Sequence, residues 1–398
     1  MRLRALPPVR RAVPLTTGRL ADAQSMAHFF GNHRVTIFSS GTAALSHAIR
    51  ACAAQSSARA PEVILPAYGC PDLVAACVNA SVLPRLVDIS PEGWGYCQQD
   101  LERSTTEDTV AIVAVNLLGI GDDAAVLRSF CRSRGIALIQ DSAQHLPRTD
   151  TEWPGDYVVL SFGRGKPLNL LHAGALVTTD AHEDSASAAT QRFPIKTRFL
   201  ASRFAAASFN VLTRPVPYGI LSAVPWTGLG AVVYKPLHSV FCLPDRVARG
   251  VSAAFDLYRR VPAYRRKPWE PVLSEWHQWG IEELRSINRG PEPEPVRLAL
   301  LAPDRASRDV LVTALERMGL GASRLYGSEL PRVSGIPQSV RAQGPFPNAK
   351  RLADRLFTLP THSLVSADSV HEAHTIVQDW HRERTTLAKS GASGPSDH

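Results

Sequence analysis

Lys166 follows a strand-like run, Tyr157-Val158-Val159-Leu160, and a Gly-rich turn, Ser161-Phe162-Gly163-Arg164-Gly165. A lysine amine becomes a nucleophile when desolvation or neighbouring positive charge lowers its pKa, and it then forms an imine with an aldehyde. Gly163 and Gly165 let backbone approach a flat ligand closely. Upstream, Ala137-Leu138-Ile139-Gln140-Asp141 reads as a buried strand ending in a carboxylate. Such a carboxylate is costly without a positive partner, and a protonated pyridine nitrogen is one; a turn-forming or helix-capping aspartate is the structural alternative. Ser39-Ser40-Gly41-Thr42 reads as a tight turn opening a helix. Free N–H groups and the helix dipole attract anions there, although plain N-capping explains most such turns. The Thr42 and Ser161 hydroxyls could complete a phosphate cup. Gln144, just beyond Asp141, could donate to a phenolic oxygen or stand as an ordinary surface amide. An amine, a carboxylate and an anion site are the parts needed to hold pyridoxal phosphate, whose ring is an electron sink for carbanion chemistry.

The elements that would position these groups alternate regularly from Arg34 to about Asp180. Helices are expected from about Thr42 to Cys52, near Leu73–Asn79 and over Asp122–Arg134. Strands are expected at Glu62–Leu65, Leu83–Val87, Val110–Val115 and Ala137–Gln140. Short apolar strands between helices predict a mostly parallel sheet covered on both faces, with ligands beyond the carboxyl ends of its strands. Asp88, Asn116, Asp141 and Ser161 all stand at such ends. Residues 1–30 read as an arm with a short helix, and 31–245 as the large domain. Within it, 190–240 is atypically apolar, with an amphipathic stretch near Arg192–Leu212. Residues 246–290 form a connecting region, Gly290–Pro295 reads as a linker, and 291–388 form a small α+β domain. That domain is expected to hold strands at Val296–Leu301 and Gly321–Tyr326. Its expected helices are Arg305–Met318, Asn348–Leu356 and Ser366–Arg382. The tail from 389 reads as disordered.

A chain of 398 residues with 44% hydrophobic content suits two domains. Its net charge of +8 favours acidic small molecules, nucleotides or anionic surfaces without selecting among them. No basic-and-aromatic repeat is present, which argues against nucleic-acid binding. The six cysteines lack CxxC spacing; no metal site is expected, and reduced thiols fit a cytoplasmic protein. No apolar h-region follows the basic N-terminus, so no secretory signal is expected. The run Pro215–Tyr234 carries no charge and is long enough for a membrane span, but its prolines and glycines would break a spanning helix. It reads as a buried or partner-facing irregular connection, or else as an apolar surface for a membrane or a lipid-linked substrate.

Several stretches resemble the DegT/DnrJ/StrS family of pyridoxal-phosphate aminotransferases. They are SSGTAAL (39–45), EVILPAYGCP (62–71), VNLLGIGDD (115–123) with GIALIQDSAQ (135–144), GDYVVLSFGRGK (155–166) with AGALVTTD (173–180), and PNAKRLADRLFTLPTH (347–362). The resemblance implies an α/β, aspartate-aminotransferase-like architecture (fold type I) and a homodimer with active sites at its interface. It implies the imine at Lys166, the pyridine-nitrogen contact at Asp141 and the ring-oxygen contact at Gln144. Phosphate contacts would come from Gly41, Thr42 and Ser161. Asn116 is expected at the cofactor from its place at a strand end. The family stacks an aromatic on the ring where this chain has Cys70, which brings Tyr68 forward as a substitute. Gln140 replaces a common Glu, His172 stands where Gly is usual, and no GxNxRM-like stretch is found. The implied reaction moves an amino group from glutamate or glutamine to a keto or aldehyde acceptor, chiefly a nucleotide-linked keto-sugar. The alternatives are a sugar dehydratase-type lyase, against which Lys166 argues because such relatives carry His there, and an inactive sensor or scaffold in polysaccharide assembly.

Overall fold

The computed structural model describes residues 4–15, 18, 24–30, 33–122, 124–146, 155–178, 194, 203–223, 232–244, 247–260, 266–287 and 295–391. Seven strands form the larger sheet: β1 (Arg34–Phe38), β2 (Glu62–Pro66), β3 (Leu83–Val87), β4 (Thr109–Val115), β5 (Ala137–Asp141), β6 (Tyr157–Ser161) and β7 (Gly174–Thr178), in the order β1-β7-β6-β5-β4-β2-β3. The β3-β2-β4-β5-β6 pairs are parallel, and β7 is antiparallel to both β6 and β1. Five parallel strands and β1 therefore end along one edge. That edge carries the turns at Ser39–Gly41, Asn116, Asp141 and Ser161.

Alternation along the strands divides the core. In β4, Ala111, Val113 and Val115 face helices α1 (Gly41–Gln55) and α2 (Asp72–Ala80), while Ile112 and Ala114 pack with Leu101 of α3 (Gln98–Ser104) and Leu127 of α4 (Ala124–Arg134). On the latter face, at the β1–β7–β6 end, Val35, Ile37, Val158 and Val177 meet Met26 and Phe30 of a short 3-10 helix (Gln24–Phe30) and α7 (Val247–Arg259). In chain order, α5 (Arg203–Leu212) and α6 (Pro215–Ser222) lie between β7 and α7.

A second core surrounds a three-stranded antiparallel sheet ordered β10-β9-β8: β8 is Glu282–Glu283, β9 Arg297–Leu301 and β10 Leu356–Pro360. It joins Trp269 and Trp276 of the α8 region (Glu270–Gln278), Leu311 and Leu315 of α9 (Arg305–Arg317), and Val370 and Val377 of α11 (Ala367–Gly391). Helix α10 (Pro347–Arg355) runs directly into β10.

The structure corrects three expectations. Gly321–Tyr326 is not a strand: only Ser323 bridges Thr358, because Gly319, Gly321, Leu325 and Gly327 all have left-handed φ values. The strand that pairs with β9 is β10. Pro215–Tyr234 is not wholly irregular, since Pro215 sits in the first turn of α6, where its missing N–H costs nothing. Helix α11 continues through Lys389 to Gly391. Among the described residues no helix is long and apolar enough to cross a membrane. Residues 224–231, the Gly290–Glu294 part of the linker, the 192–202 part of the amphipathic stretch except Pro194, and the tail from 392 lie outside the described residues.

The N-terminal segment is tied across these parts. Leu6 N–H donates to Gly319 O (2.7 Å), Ala5 N–H to Pro215 O (2.9 Å), and Val13 exchanges two bonds with the Asn210 side chain (2.8 and 2.9 Å). The buried Arg297 donates to Pro8 O, Gly321 O and Thr358 O and Oγ1.

Candidate active site

Helix α1 starts where Ser40 accepts the Ala43 N–H on its side chain (3.0 Å). Its first residue must be glycine: a Cβ at Gly41 would lie 2.8 Å from Ser161 Cβ, and one at Gly174 would lie 2.4 Å from Gly41 N. Two strand ends and a helix N-terminus thus meet at contact distance. Beside them opens a cleft lined by Gly41, Thr42, Cys70, Asn116, Asp141, Gln144, Ser161 and Lys166. Eight of the nine residues expected at a cofactor therefore border one space.

Each group is held by its own local chemistry. Asp141 Oδ1 accepts the Ala143 N–H (2.9 Å). Burial raises its carboxyl above the ordinary range, against the pull of the Ala143 N–H and the Lys166 charge, and Asp72 adds to the rise. A cation in the cleft would relieve that cost. Gln144 Oε1 accepts the Leu118 N–H (2.8 Å), which leaves its amide NH₂ as the donor toward the cleft. Asn116 Nδ2 donates to Ser142 Oγ (2.8 Å), and Ser161 Oγ accepts the Gly163 N–H (3.4 Å). Lys166 N–H closes a turn on Gly163 O (3.2 Å), with Gly165 at φ +75°. Leu171 and Ala173, on either side of His172, have φ of +70° and +77°, conformations that cost non-glycine residues energy and cluster at functional sites. Burial pushes the Cys70 thiol up to about 12, with Asp72 adding and Lys166 opposing. The thiol is therefore neutral at physiological pH.

Tyr68 does not line this cleft. It is fully buried, with its ring centroid 6.5 Å from that of Trp94 and 5.6 Å from that of Tyr326. It belongs to the core between the sheet and the second layer, and the expectation that it contacts the cofactor is corrected. The aromatic that borders the cleft is Tyr326, from the turn misread as a strand. Asp72 is the second unexpected member: its Oδ2 accepts the Thr42 hydroxyl (3.2 Å), placing a carboxylate beside the expected phosphate cup. Asp88 is absent, because its carboxylate accepts the Asn348 and Ala349 N–H groups at the start of α10 (2.9 and 2.8 Å).

The donor set suits pyridoxal phosphate. A buried carboxylate with a raised pKa can pair with a ring N–H, an anchored amide can meet the ring oxygen, and an amine shares the space. The N-terminus of α1 with Ser161 can take the phosphate.

Residues 14–209 match the model of the DegT/DnrJ/EryC1/StrS aminotransferase family. The chain is 30% identical over 163 residues to the L-glutamine:scyllo-inosose aminotransferase of Streptomyces griseus, covering 40% of this chain and 38% of that protein. Its match spans about a third of the length of the curated relatives, 31–38% for three of them. Among solved structures, DesI in the presence of its TDP-sugar product superposes with a TM-score of 0.70 at 18% identity, over 98% of this chain and 96% of that one. NtdA from Bacillus subtilis with bound cofactor PMP gives 0.68 at 16%, over 92% and 78%. These likenesses show the fold, which is aspartate-aminotransferase-like, fold type I.

Proposed function

We propose, for a chain whose residues 14–209 belong to the DegT/DnrJ/EryC1/StrS aminotransferase family, that it is a pyridoxal-phosphate-dependent aminotransferase. It would move an amino group from glutamate or glutamine to a keto or aldehyde carbon of a sugar, nucleotide-linked or cyclitol-like. The observation that carries this reading is the convergence of Lys166, Asp141, Gln144 and the start of α1 on one cleft.

The cofactor, when bound, supplies an electron sink for charge developing at the substrate carbon. Asp141 keeps a positive charge at the ring nitrogen, for which its costly burial is suited. Gln144, anchored through Leu118, orients its amide toward the ring oxygen. Gly41, Thr42 and Ser161 would hold the phosphate, while Cys70, Asn116, Asp72 and Tyr326 are among the other residues that line the cleft. The Lys166 amine removes a proton from the substrate carbon and returns one after the transfer.

A homodimer, a division into large and small domains at about residue 290, and a cytoplasmic location belong to the same proposal. Helices α5 and α6 present Phe204 (80% exposed), Val211, Val216 and Ile220 to solvent, an apolar face that a second copy would cover. Light scattering should give twice the chain mass; binding to anionic vesicles instead would assign this face to a membrane. The purified protein should be yellow and lose that colour with glutamate or glutamine. Lys166→Ala should lower turnover at least about 1,000-fold, and full activity in that variant would refute the reading.

A further inference from the structure

A second, narrow cleft lies against the first and shares Gln144 and Lys166 with it. The N-terminal segment supplies its far wall through Arg10 and Arg11, and Tyr258 and His362 close it. Arg11 is only 6% exposed, yet its Nε and Nη2 have no hydrogen-bond partner, and the Arg10 Nε is also unpartnered. Neither arginine forms an ion pair among the described residues. Arg11 lies 4.9 Å over the ring of Tyr258, and its backbone oxygen accepts Asn169 Nδ2 (2.7 Å). Its neighbours are pinned in turn: Val13 is held by Asn210, Pro8 O by Arg297, and Pro7 O by His362 Nε2 (2.9 Å). The segment is thus built into the fold.

A buried guanidinium without a counter-charge is expensive. Arg297 of β9, which holds the same segment through Pro8 O, shows the satisfied alternative, donating to four protein oxygens. Among the described residues Arg11 meets no anion with two oxygens to match its planar fork, a role that a carboxylate or a phosphate would fill. Position decides between them. The carboxylate of an amino acid sits on the same carbon as its amine, so an amine delivered at Lys166 brings the carboxylate within a few bonds of that nitrogen. A sugar-linked diphosphate is separated from the reacting carbon by the sugar ring. We propose that Arg11, with Arg10 behind it, binds the carboxylate of the amino donor; this rests on the aminotransferase reading above.

The test uses glutarate, a dicarboxylate with no amine to transfer, and inorganic pyrophosphate, each titrated calorimetrically into the cofactor-loaded enzyme. Arg11→Gln should weaken glutarate at least about 10-fold, and Arg11→Lys, which keeps charge but not the fork, should fall between. The glutamate or glutamine concentration that half-saturates colour loss should rise in parallel, with the limiting rate kept within about 3-fold, as expected when uniform binding is removed. Equal glutarate affinity in wild type and both variants overturns the proposal. So does a variant that loses pyrophosphate while retaining glutarate. If Arg11→Gln does not fold, Arg11→Lys and Arg10→Gln carry the same comparison. Should wild type bind glutarate through Arg11 yet never lose colour with any donor, the carboxylate site stands and the aminotransferase reading falls.

Discussion

Asp88 and Asp141 occupy equivalent places in the larger sheet and have opposite fates. Each follows or ends a parallel strand on the same edge; Asp88 is buried there, and Asp141 is half-buried at the cleft. Asp88 is only 4% exposed, and its oxygens accept three backbone N–H groups, from Ile89, Asn348 and Ala349. It caps α10, whose adjoining residue Phe346 offers no side-chain cap, and so locks the small sheet's helix onto the edge of the large one. Asp141, near the middle of the sheet, accepts one such bond among the described residues and borders a cleft that it shares with an amine. Position in the topology made both candidates. What separates them is how many protein donors each has met, and the same count separates Arg297 from Arg11.

The comparison predicts a sharp division of phenotypes. Asp141→Asn should lower turnover by at least about 100-fold, by removing the charge that holds a proton on the ring nitrogen. Its effect on stability should depend on pH. The Asp141 carboxyl is raised in the folded chain, so the folded state binds its proton more tightly than the unfolded state does. The stability this contributes is fully present below the ordinary aspartate pKa of about 3.9 and is lost as pH rises through the raised value. In the cofactor-free protein, urea midpoints should therefore favour wild type over Asp141→Asn most in acid, and the advantage should shrink toward neutrality. An advantage that grows with pH would show Asp141 to be a satisfied structural residue like Asp88.

Asp88→Ala should do the reverse. It leaves the Asn348 and Ala349 N–H groups buried without acceptors, at a cost of about 2–3 kcal/mol, visible as a lower urea midpoint at unchanged slope. Turnover at 25 °C should stay within about 3-fold of wild type while the protein remains folded. A large loss of turnover at unchanged stability would break the contrast.

Much of this edge was readable from local pattern. The apolar runs ending in Asn116, Asp141 and Ser161 and the Ser-Gly-Thr turn follow from periodicity and from the rule that parallel sheets bind ligands at their carboxyl ends. The unread parts depend on distant neighbours. Strand β7 begins with Gly174, a poor strand former required by contact with Gly41. Strand β10 follows α10 without a turn and ends in Pro360, so its first residue, Leu356, read as the end of the helix and the rest was assigned to no element. Tyr326 reaches the cleft from a left-handed turn that resembled a strand, because alternation alone does not report φ. Arg11 sits in a basic run that reads as a solvated arm, and only its path past Asn169 and Tyr258 reveals that it is buried. Tyr68 lies near the expected stacking position, but it faces Trp94 and the core.

Asp72 lies between the two extremes and gives the comparison its finest test. Its carboxylate borders the cleft, as Asp141 does, yet it accepts a protein donor, the Thr42 hydroxyl, at 3.2 Å. A negative charge beside a helix N-terminus would compete with an incoming phosphate for the same positive field. If that repulsion dominates, Asp72→Asn should tighten binding of pyridoxal phosphate by about 3- to 10-fold, and the gain should shrink at high salt as screening removes the repulsion. If the orientation of Thr42 dominates, the same change should weaken binding by a similar factor with little salt dependence, and Thr42→Val should reproduce the loss. Equilibrium dialysis at two ionic strengths separates these outcomes, because only a charge effect scales with screening.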